Sequence, residues 1–224
     1  MGAEYLGSRI LSSYYDSSFR PIAHQLLAWG YENALPRIHC KLEEEEITGF
    51  IAEAIEKRLD DPSTPKKFHR YDIHEEKPIA VEGRTGKKRR RLDLVIICSH
   101  GCPRPKYIFE AKRLRKNGFP IGKYVGKDGL QCFVKGVYAS QYPEAAMVGY
   151  VQSDAASYWE SELKRSFDGD PNNDLRIIQL LQKAQVLFSI PDVWVSEHER
   201  ITGSSIAIYH IFLNCSASFV QTAG

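Results

Sequence analysis

Two segments in the middle of the chain, RRRLDLVIICS at 89–99 and KYIFEAKRL at 106–114, decide the expected fold. Each contains a strongly apolar run with charged residues embedded in it: Asp93 in the first, Glu110 and Lys112 in the second. Strands that are apolar on both faces belong in the middle of a sheet that is covered by helices. Because the glycine and prolines between the two segments predict a turn, we expect the two strands to pair as a hairpin.

The charged residues inside these strands point to a site. A buried charge costs several kcal/mol unless it is paired or binds a cation. Side chains alternate along a strand, so Glu110 and Lys112 share one face while Ala111 packs on the other, and Asp93 would meet them across the hairpin. Two adjacent carboxylates suit Mg²⁺ or Mn²⁺. The alternative is an internal ion pair of Lys112 with a carboxylate, without any catalytic role.

Helical and extended patterns surround the two strands. Pro21 would open a first helix and Gly30 would end it, and a clearer apolar stripe follows in the next helix. We predict helices near 21–29, 42–59, 129–140 and 153–165, a helical or mixed segment at 175–188, and strands near 68–73, 78–82, 145–152 and 205–213. This order predicts an α/β or α+β fold with one central mixed sheet flanked by helices, in a single domain over 1–224.

Composition excludes several classes of protein. The chain has 224 residues, of which 43% are hydrophobic and 26% charged, with a net charge of +2. These fractions are typical of a globular domain and not of a disordered chain. No apolar stretch approaches the roughly 18 residues of a membrane helix, and the first residues lack the pattern of a signal peptide. The five cysteines are expected to be reduced thiols, so we expect a cytoplasmic protein with no membrane association.

Asp93, followed on the next strand by Glu110, Ala111 and Lys112, resembles the motif of the PD-(D/E)XK nuclease superfamily. The resemblance implies a restriction-endonuclease-like fold, whose core is a helix, the first strands of a sheet, a second helix and a further strand. The predicted order over about 42–152 matches that core, with a helical extension before it and a helix and strand added after it. Leu92 stands where many members have proline, although that proline is often missing in the family.

The resemblance implies a role for each matching residue. Asp93 and Glu110 would bind the metal, the backbone carbonyl of Ala111 would be a further ligand, and Lys112 would be the catalytic lysine. Many members also have a glutamate on the first core helix that approaches the metal, and EEEE at 43–46 supplies four candidates. Helical angles place Glu43 and Glu44 beside the buried face, and we select Glu44. Alternatively, all four are present because negative charge stabilises a helix N-terminus.

Further candidates lie outside the motif. In the family, the helix after the lysine strand often supplies a polar side chain. On the helix predicted over 129–140, Gln131, Lys135 and Tyr138 would share one face, so we expect Gln131 at the catalytic site and Lys135 at a phosphate; a merely solvated face is the alternative. Positive charge is concentrated in KKRRR at 87–91 and just after the motif, as a phosphate-binding patch or as a solvated face. The nucleic-acid-binding candidates are Arg89, Arg90, Arg91, Arg113, Arg115 and Lys135.

Together these observations predict a Mg²⁺- or Mn²⁺-dependent nuclease that hydrolyses phosphodiester bonds in DNA. Restriction, phage defence or DNA processing would be its setting, and it would act as a homodimer or with partner proteins. The alternatives are a non-catalytic nucleic-acid-binding subunit, a nuclease acting on RNA, and a Mg²⁺-dependent enzyme with another phosphate substrate. No histidine is assigned to catalysis: we expect His210 to be a satisfied sheet residue, and His198 to lie in a loop without a partner.

Overall fold

The computed structural model describes residues 15–78, 91–101 and 103–218. Helices α1 to α5 in these ranges are Arg20–Ala34, Glu44–Asp60, Ile121–Val125, Leu130–Val134 and Ala156–Asp168. Strands β1 to β7 are Tyr71–Pro78, Arg91–Cys98, Lys106–Leu114, Glu144–Val151, Ile177–Lys183, Val193–Glu199 and Ser205–Asn214. Within the described ranges, none of the helices has the length and apolar character needed to span a membrane.

The strands form one seven-stranded mixed sheet in the order β1-β2-β3-β4-β7-β6-β5. Neighbours from β1 to β3 are antiparallel, β3, β4 and β7 are parallel, and β7, β6 and β5 are antiparallel. The predicted hairpin is formed by β2 and β3, which lie near the middle of the sheet. The expected α+β architecture with a central mixed sheet flanked by helices is therefore confirmed.

Each face of the sheet is covered by helices, which explains why the central strands are apolar throughout. Alternate residues of β2 and β3 enter two separate cores. Ile96 and Phe109 pack in the core that contains α1 and α2, whereas Val95 and Ile108 pack in the core that contains α3, α4 and α5. A charged side chain on either strand therefore has little access to water unless it lies near a strand end.

Gly30 does not end the first helix, which continues to Ala34. A Cβ atom at Gly30 would lie 2.6 Å from Cγ1 of Ile55 and 2.8 Å from the carbonyl oxygen of Ile51, both on α2. The glycine therefore allows α1 and α2 to approach closely. The prediction of a helix stop was wrong because a glycine that serves packing between helices looks, in the sequence, like one that ends a helix.

Three further segments differ from the predictions. The helix expected over 129–140 is only α4, since Lys135 follows as its C-cap and Gly136 has a left-handed φ of +68°. The segment 175–188, expected to be helical or mixed, contains the edge strand β5, and β6 was not predicted. Short apolar runs such as IIQLL do not distinguish helix from strand. Of the strand expected at 78–82, only Pro78, the last residue of β1, is described, and 79–82 lie outside the described residues.

Candidate functional site

The site begins where the regular pairing of β2 with β3 ends. The last paired residues are Leu94 and Phe109. One residue earlier on β2, Oδ2 of Asp93 accepts a hydrogen bond of 2.7 Å from the backbone N–H of Ala111. The carboxylate takes the place of a backbone acceptor, and this contact fixes the Asp93 side chain beside the charged part of β3.

Lys112 is the centre of the site. Its Nζ lies 2.6 Å from the carbonyl oxygen of Ala111, 3.0 Å from Oε1 of Glu110 and 3.9 Å from Oδ2 of Asp93. It also lies 2.9 Å from Oε1 of Glu44, the first residue of α2. The structure thus brings together Asp93, Glu110, Lys112 and the selected glutamate Glu44, from two strands and a helix.

Three of the four glutamates at the start of α2 divide into two kinds. Glu43 and Glu46 form a capping box, in which the backbone N–H of Glu43 donates to Oε2 of Glu46 at 2.8 Å. Glu44 instead points to β3: besides Lys112, it accepts a hydrogen bond of 3.0 Å from the backbone N–H of Arg113. Stabilisation of the helix N-terminus therefore accounts for Glu43 and Glu46, and Glu44 connects α2 to the site.

Burial gives the carboxylates unusual protonation behaviour. The Glu110 side chain is only 3% exposed, and its Oε2 has no hydrogen-bond partner among the described residues. Burial and the neighbouring Asp93 raise the pKa of Glu110 well above its ordinary value. Burial also raises the pKa of Asp93 to about 6, although Lys112 opposes this shift. Burial lowers the pKa of Lys112, but the carboxylates of Glu110, Asp93 and Glu44 raise it further, so the net shift is upward.

The donor atoms of the site suit a hard cation in their chemistry. Carboxylate and carbonyl oxygens from Asp93, Glu110 and Ala111 are the ligands that Mg²⁺ and Mn²⁺ prefer, and Oε2 of Glu110 is a buried acceptor without a donor. In the described part of the chain, no group of three or more His, Cys, Asp or Glu residues is arranged to hold a metal ion. The Lys112 ammonium already binds oxygens of Ala111 and Glu110, so a cation would compete with it for them.

The arginine candidates differ in how available they are. Arg89 and Arg90 lie outside the described residues. Arg91 is exposed and pairs with Glu76 at 3.0 Å. Arg113 is 13% exposed and pairs with Glu43 at 2.5 Å, so it is held inside the protein. Arg115 is partly exposed and lies beside the ring of Phe119, 5.2 Å from the ring centroid.

The polar helix face predicted after the motif is not formed. Lys135 Nζ donates to Oε1 of Gln131 at 3.1 Å, but Lys135 already lies beyond the last residue of α4. Tyr138, expected on the same face, is buried, and its ring packs against Phe133. Within the described ranges, neither Gln131 nor Lys135 has a hydrogen bond or ion pair with the residues around Lys112. The prediction of one continuous face was wrong because the helix is a single short segment.

Three supporting residues were missed in the sequence. The buried Gln152, just after β4, donates from Nε2 to the carbonyl oxygen of Leu42 at 2.7 Å, immediately before α2. Thr48 of α2 bonds the hydroxyl of Tyr150 on β4 at 3.0 Å and the carbonyl oxygen of Glu44 at 2.9 Å. These contacts hold the start of α2 against β4 and thereby position Glu44. The detectable signal is that Tyr150 and Gln152 are polar groups at the end of an otherwise apolar strand.

His198 and His210 belong to a buried polar chain in the core that contains α3, α4 and α5. Ser196 Oγ lies 2.7 Å from Nε2 of His198 and 2.8 Å from Nε2 of His210. The chain continues from His198 to the carbonyl oxygen of Leu175 and from His210 to the hydroxyl of Tyr124. His210 is a satisfied sheet residue, as predicted. The prediction for His198 was wrong, since it is fully buried on β6.

The candidate site therefore consists of Glu44, Asp93, Glu110 and Lys112, supported by Gln152. It lies at the end of two central strands, and it combines the buried Glu110 and the partly exposed Asp93 and Glu44 with Lys112, whose side chain is 16% exposed. A comparison of the chain with family models, with curated proteins and with solved structures finds no match.

Proposed function

We propose that the protein is a metal-dependent nuclease that hydrolyses phosphodiester bonds in DNA, with a restriction-endonuclease-like fold of the PD-(D/E)XK superfamily. The observation that carries the proposal is the convergence of the Glu44, Asp93 and Glu110 carboxylates on the Lys112 ammonium. The order α2, β1 to β3, α3 with α4, and β4 is compatible with the core that the sequence motif implies. Restriction, phage defence or DNA processing would be the setting.

The electrostatics of the cluster support a functional rather than a purely structural origin. Three carboxylates face one ammonium group, and one of them, Glu110, is almost fully buried. A structural ion pair would need one carboxylate, and each additional buried negative charge opposes folding. Strongly shifted pKa values of neighbouring buried groups are concentrated at functional sites in proteins. A bound cation would balance the surplus negative charge.

Each residue would have a distinct role in the proposed reaction. Asp93, Glu110 and the carbonyl oxygen of Ala111 would hold Mg²⁺ or Mn²⁺, which, when bound, stabilises negative charge that develops on the phosphate. Lys112 would orient the attacking water and donate hydrogen bonds to the reacting phosphate. Glu44 is a positioning residue, because it bonds both Lys112 Nζ and the backbone N–H of Arg113.

The test is cleavage of supercoiled plasmid DNA in the presence of Mg²⁺ or Mn²⁺. We expect the wild type to nick the plasmid and Lys112→Ala and Asp93→Ala to lose at least about two orders of magnitude in rate, as expected when a catalytic group is removed. Lys57→Ala is a matched control, since Lys57 is an exposed lysine that pairs with Glu53 at 2.6 Å. Cleavage that survives both site substitutions in folded protein would contradict the proposal.

A non-catalytic nucleic-acid-binding subunit is the second candidate, and one observation favours it. The Lys112 ammonium binds the same oxygens of Ala111 and Glu110 that a cation would need. Titration calorimetry with Mn²⁺ separates the two functions, because a nuclease site must bind the ion and Asp93→Asn must weaken that binding. Binding of DNA without Mn²⁺ binding or cleavage would favour the subunit. A matched RNA strand in the cleavage assay tests the RNA alternative.

A further inference from the structure

A tight turn directly after β3 places two side chains next to each other. The backbone N–H of Arg115 donates to the carbonyl oxygen of Phe119 at 3.1 Å, and the N–H of Phe119 donates to the carbonyl oxygen of Arg115 at 2.9 Å. A Cβ atom at Gly118 would lie 3.0 Å from Nε of Arg115. The glycine therefore leaves room for the guanidinium group to fold back over the turn, and Arg115 is held beside Phe119.

Three cationic side chains surround the ring of Phe119. The Arg113 guanidinium carbon is 3.8 Å from the ring centroid, the Lys123 ammonium is 5.0 Å away and the Arg115 guanidinium carbon is 5.2 Å away. Cations are attracted to the face of an aromatic ring, but that attraction is weak at a surface. Like charges gathered at one ring also repel one another. We call Arg113, Arg115, Phe119 and Lys123 the Phe119 cluster.

The charges of the Phe119 cluster are not balanced within the protein. Arg113 pairs with Glu43 at 2.5 Å. In the part of the chain that the structure describes, no carboxylate lies within ion-pair distance of Arg115 or Lys123. Lys123 is exposed and Arg115 is partly exposed, so both can contact a ligand. Two positive charges held at one place without counter-charges form a binding site for an anion.

The Phe119 cluster is also joined to the candidate active site. Arg113 follows Lys112 on β3, and Glu44 Oε2 accepts a hydrogen bond from the backbone N–H of Arg113, while Glu44 Oε1 binds Lys112. The guanidinium group of Arg113 then lies on the ring of Phe119. Arg113 therefore links the ring of Phe119 to Glu44 and, through Glu44, to Lys112.

We propose that the Phe119 cluster is a second phosphate-binding subsite, which holds the backbone of a nucleic-acid strand beside the bond at Lys112. The identification of the ligand as nucleic acid rests on the proposed function. Arg115 and Lys123 contact the phosphates, Phe119 keeps the two cations together, and Arg113 connects the subsite to Glu43 and the active site. Contacts to phosphates carry no sequence information, so the subsite contributes affinity and register for any sequence.

The test is the salt dependence of binding to a fluorescein-labelled DNA duplex in EDTA, where no cleavage competes. The slope of log affinity against log salt is negative, and each lost phosphate contact reduces its magnitude by about 0.9 on a duplex. We expect this decrease for Arg115→Gln and for Lys123→Gln, equally on two unrelated sequences. Phe119→Leu changes no charge, yet we expect it to reduce the magnitude of the slope by about 1, because Arg115 and Lys123 lose the aromatic ring that both contact.

Lys183→Gln is the matched control for the charge change. Lys183 also lies beside an aromatic ring, with its ammonium group 4.0 Å from the ring centroid of Trp194. It is on the edge strand β5, and three strands separate β5 from β3, so its substitution should leave the slope unchanged. Because Lys123 is exposed, its substitution tests the subsite even where Phe119→Leu unfolds the protein. A wild-type slope in Arg115→Gln and Lys123→Gln, or a wild type that does not bind DNA, would overturn the inference.

The binding assay and the cleavage assay distinguish a failure of the subsite from a failure of the proposed nuclease function. If the slopes change as expected but no variant or wild type cleaves DNA with Mg²⁺ or Mn²⁺, the nuclease proposal is contradicted and the subsite is supported. If the wild type cleaves DNA and the slopes stay at the wild-type value, the subsite alone is contradicted.

Discussion

Asp93 shows how a single residue can be necessary for the site and unfavourable for the fold. Its carboxylate accepts the backbone hydrogen bond from Ala111, yet it lies beside Glu110 and close to Glu44. Burial raises the pKa of Asp93 from 3.8 to about 6. The folded protein therefore binds a proton that the unfolded chain releases, and this contribution to stability is complete below about pH 4 and is lost as the pH rises through about 6.

We therefore expect Asp93→Asn to stabilise the protein in EDTA at about pH 7.5, by about 2 kcal/mol, while it has little effect at about pH 4. Asparagine keeps an oxygen that can accept from Ala111, and it removes one of the neighbouring negative charges. Urea unfolding at the two pH values measures the difference. Asp72→Asn, at an exposed aspartate on β1, is the control and should change stability at neither pH. A variant less stable than the wild type at the higher pH would contradict the argument.

Sequence reasoning was successful for residues whose position follows from periodicity. Alternation along β3 places Glu110 and Lys112 together, and the apolar stripe of α2 leaves Glu43 and Glu44 as the two candidates, of which we selected Glu44. It could not find the neighbours of Phe119, because these depend on the turn at 115–119 and on how α3 packs after it. Arg113 illustrates the same limit: its charge is visible in the sequence, but its pairing with Glu43 is not.

Among the elements, the contact of α1 with α2 depends on one missing side chain. Gly30 lies where a Cβ atom would meet both a side chain and the backbone of α2, at 2.6 and 2.8 Å. Because the backbone oxygen of Ile51 cannot move independently of its helix, the two helices would have to separate. Separation would disturb the same helix that carries Glu44 to the site.

We expect Gly30→Ala to lower the free energy of unfolding by about 1–2 kcal/mol, since overpacking outweighs the better helix propensity of alanine. Gly122→Ala is the matched control, because Gly122 also lies in a helix and a Cβ atom there would meet nothing within 4 Å. The control should be neutral or stabilised by up to about 1 kcal/mol. Equal effects of the two substitutions in urea unfolding would show that the packing argument is wrong.

The elements that sequence reasoning placed correctly are those with strong and long patterns. The apolar stripe of α2 and the continuous runs of β2, β3 and β4 each indicate one structure. The segment that became β5 mixes apolar and polar residues in an order compatible with either helix or strand. Its structure is decided by pairing with β6. This pairing joins residues that are distant in the sequence, such as Ile177 and His198. Local pattern carries no information about that pairing.

Across the whole molecule, buried titratable groups contribute to stability in opposite directions. The site has buried carboxylates that favour the protonated state, whereas three buried histidines favour the neutral state. Burial lowers the pKa of His24 to about 3. It also lowers the pKa of His198 below the ordinary value of 6.5, and it lowers the pKa of His210 well below that value. Each of the three has at least one hydrogen-bond partner inside the protein, although Nδ1 of His24 has none among the described residues, and burial is the main cause of all three shifts.

The sign of the histidine contribution follows from the direction of the shifts. Below pH 6.5 the unfolded chain takes up protons that the buried rings refuse, so stability decreases as the pH falls through that value. Each histidine contributes up to about 1.4 kcal/mol per pH unit. The pKa values of Asp93 and Glu110 are raised, so their titration acts in the opposite direction, and the two carboxylates together offset about two of the three histidines.

We therefore expect the stability of the wild type in EDTA to decrease by about 1–3 kcal/mol per pH unit below about pH 6, with a slope greater in Asp93→Asn than in the wild type. The difference arises because the variant has lost one of the two site carboxylates, Asp93 and Glu110, whose pKa values are raised on folding. Urea unfolding at closely spaced pH values measures both slopes, and His74→Asn, at an exposed histidine on β1, should leave the slope unchanged. Parallel slopes for the wild type and Asp93→Asn would mean that Asp93 is ionised in the folded protein throughout this pH range. That result would contradict the raised pKa of Asp93 on which the electrostatic description of the site depends.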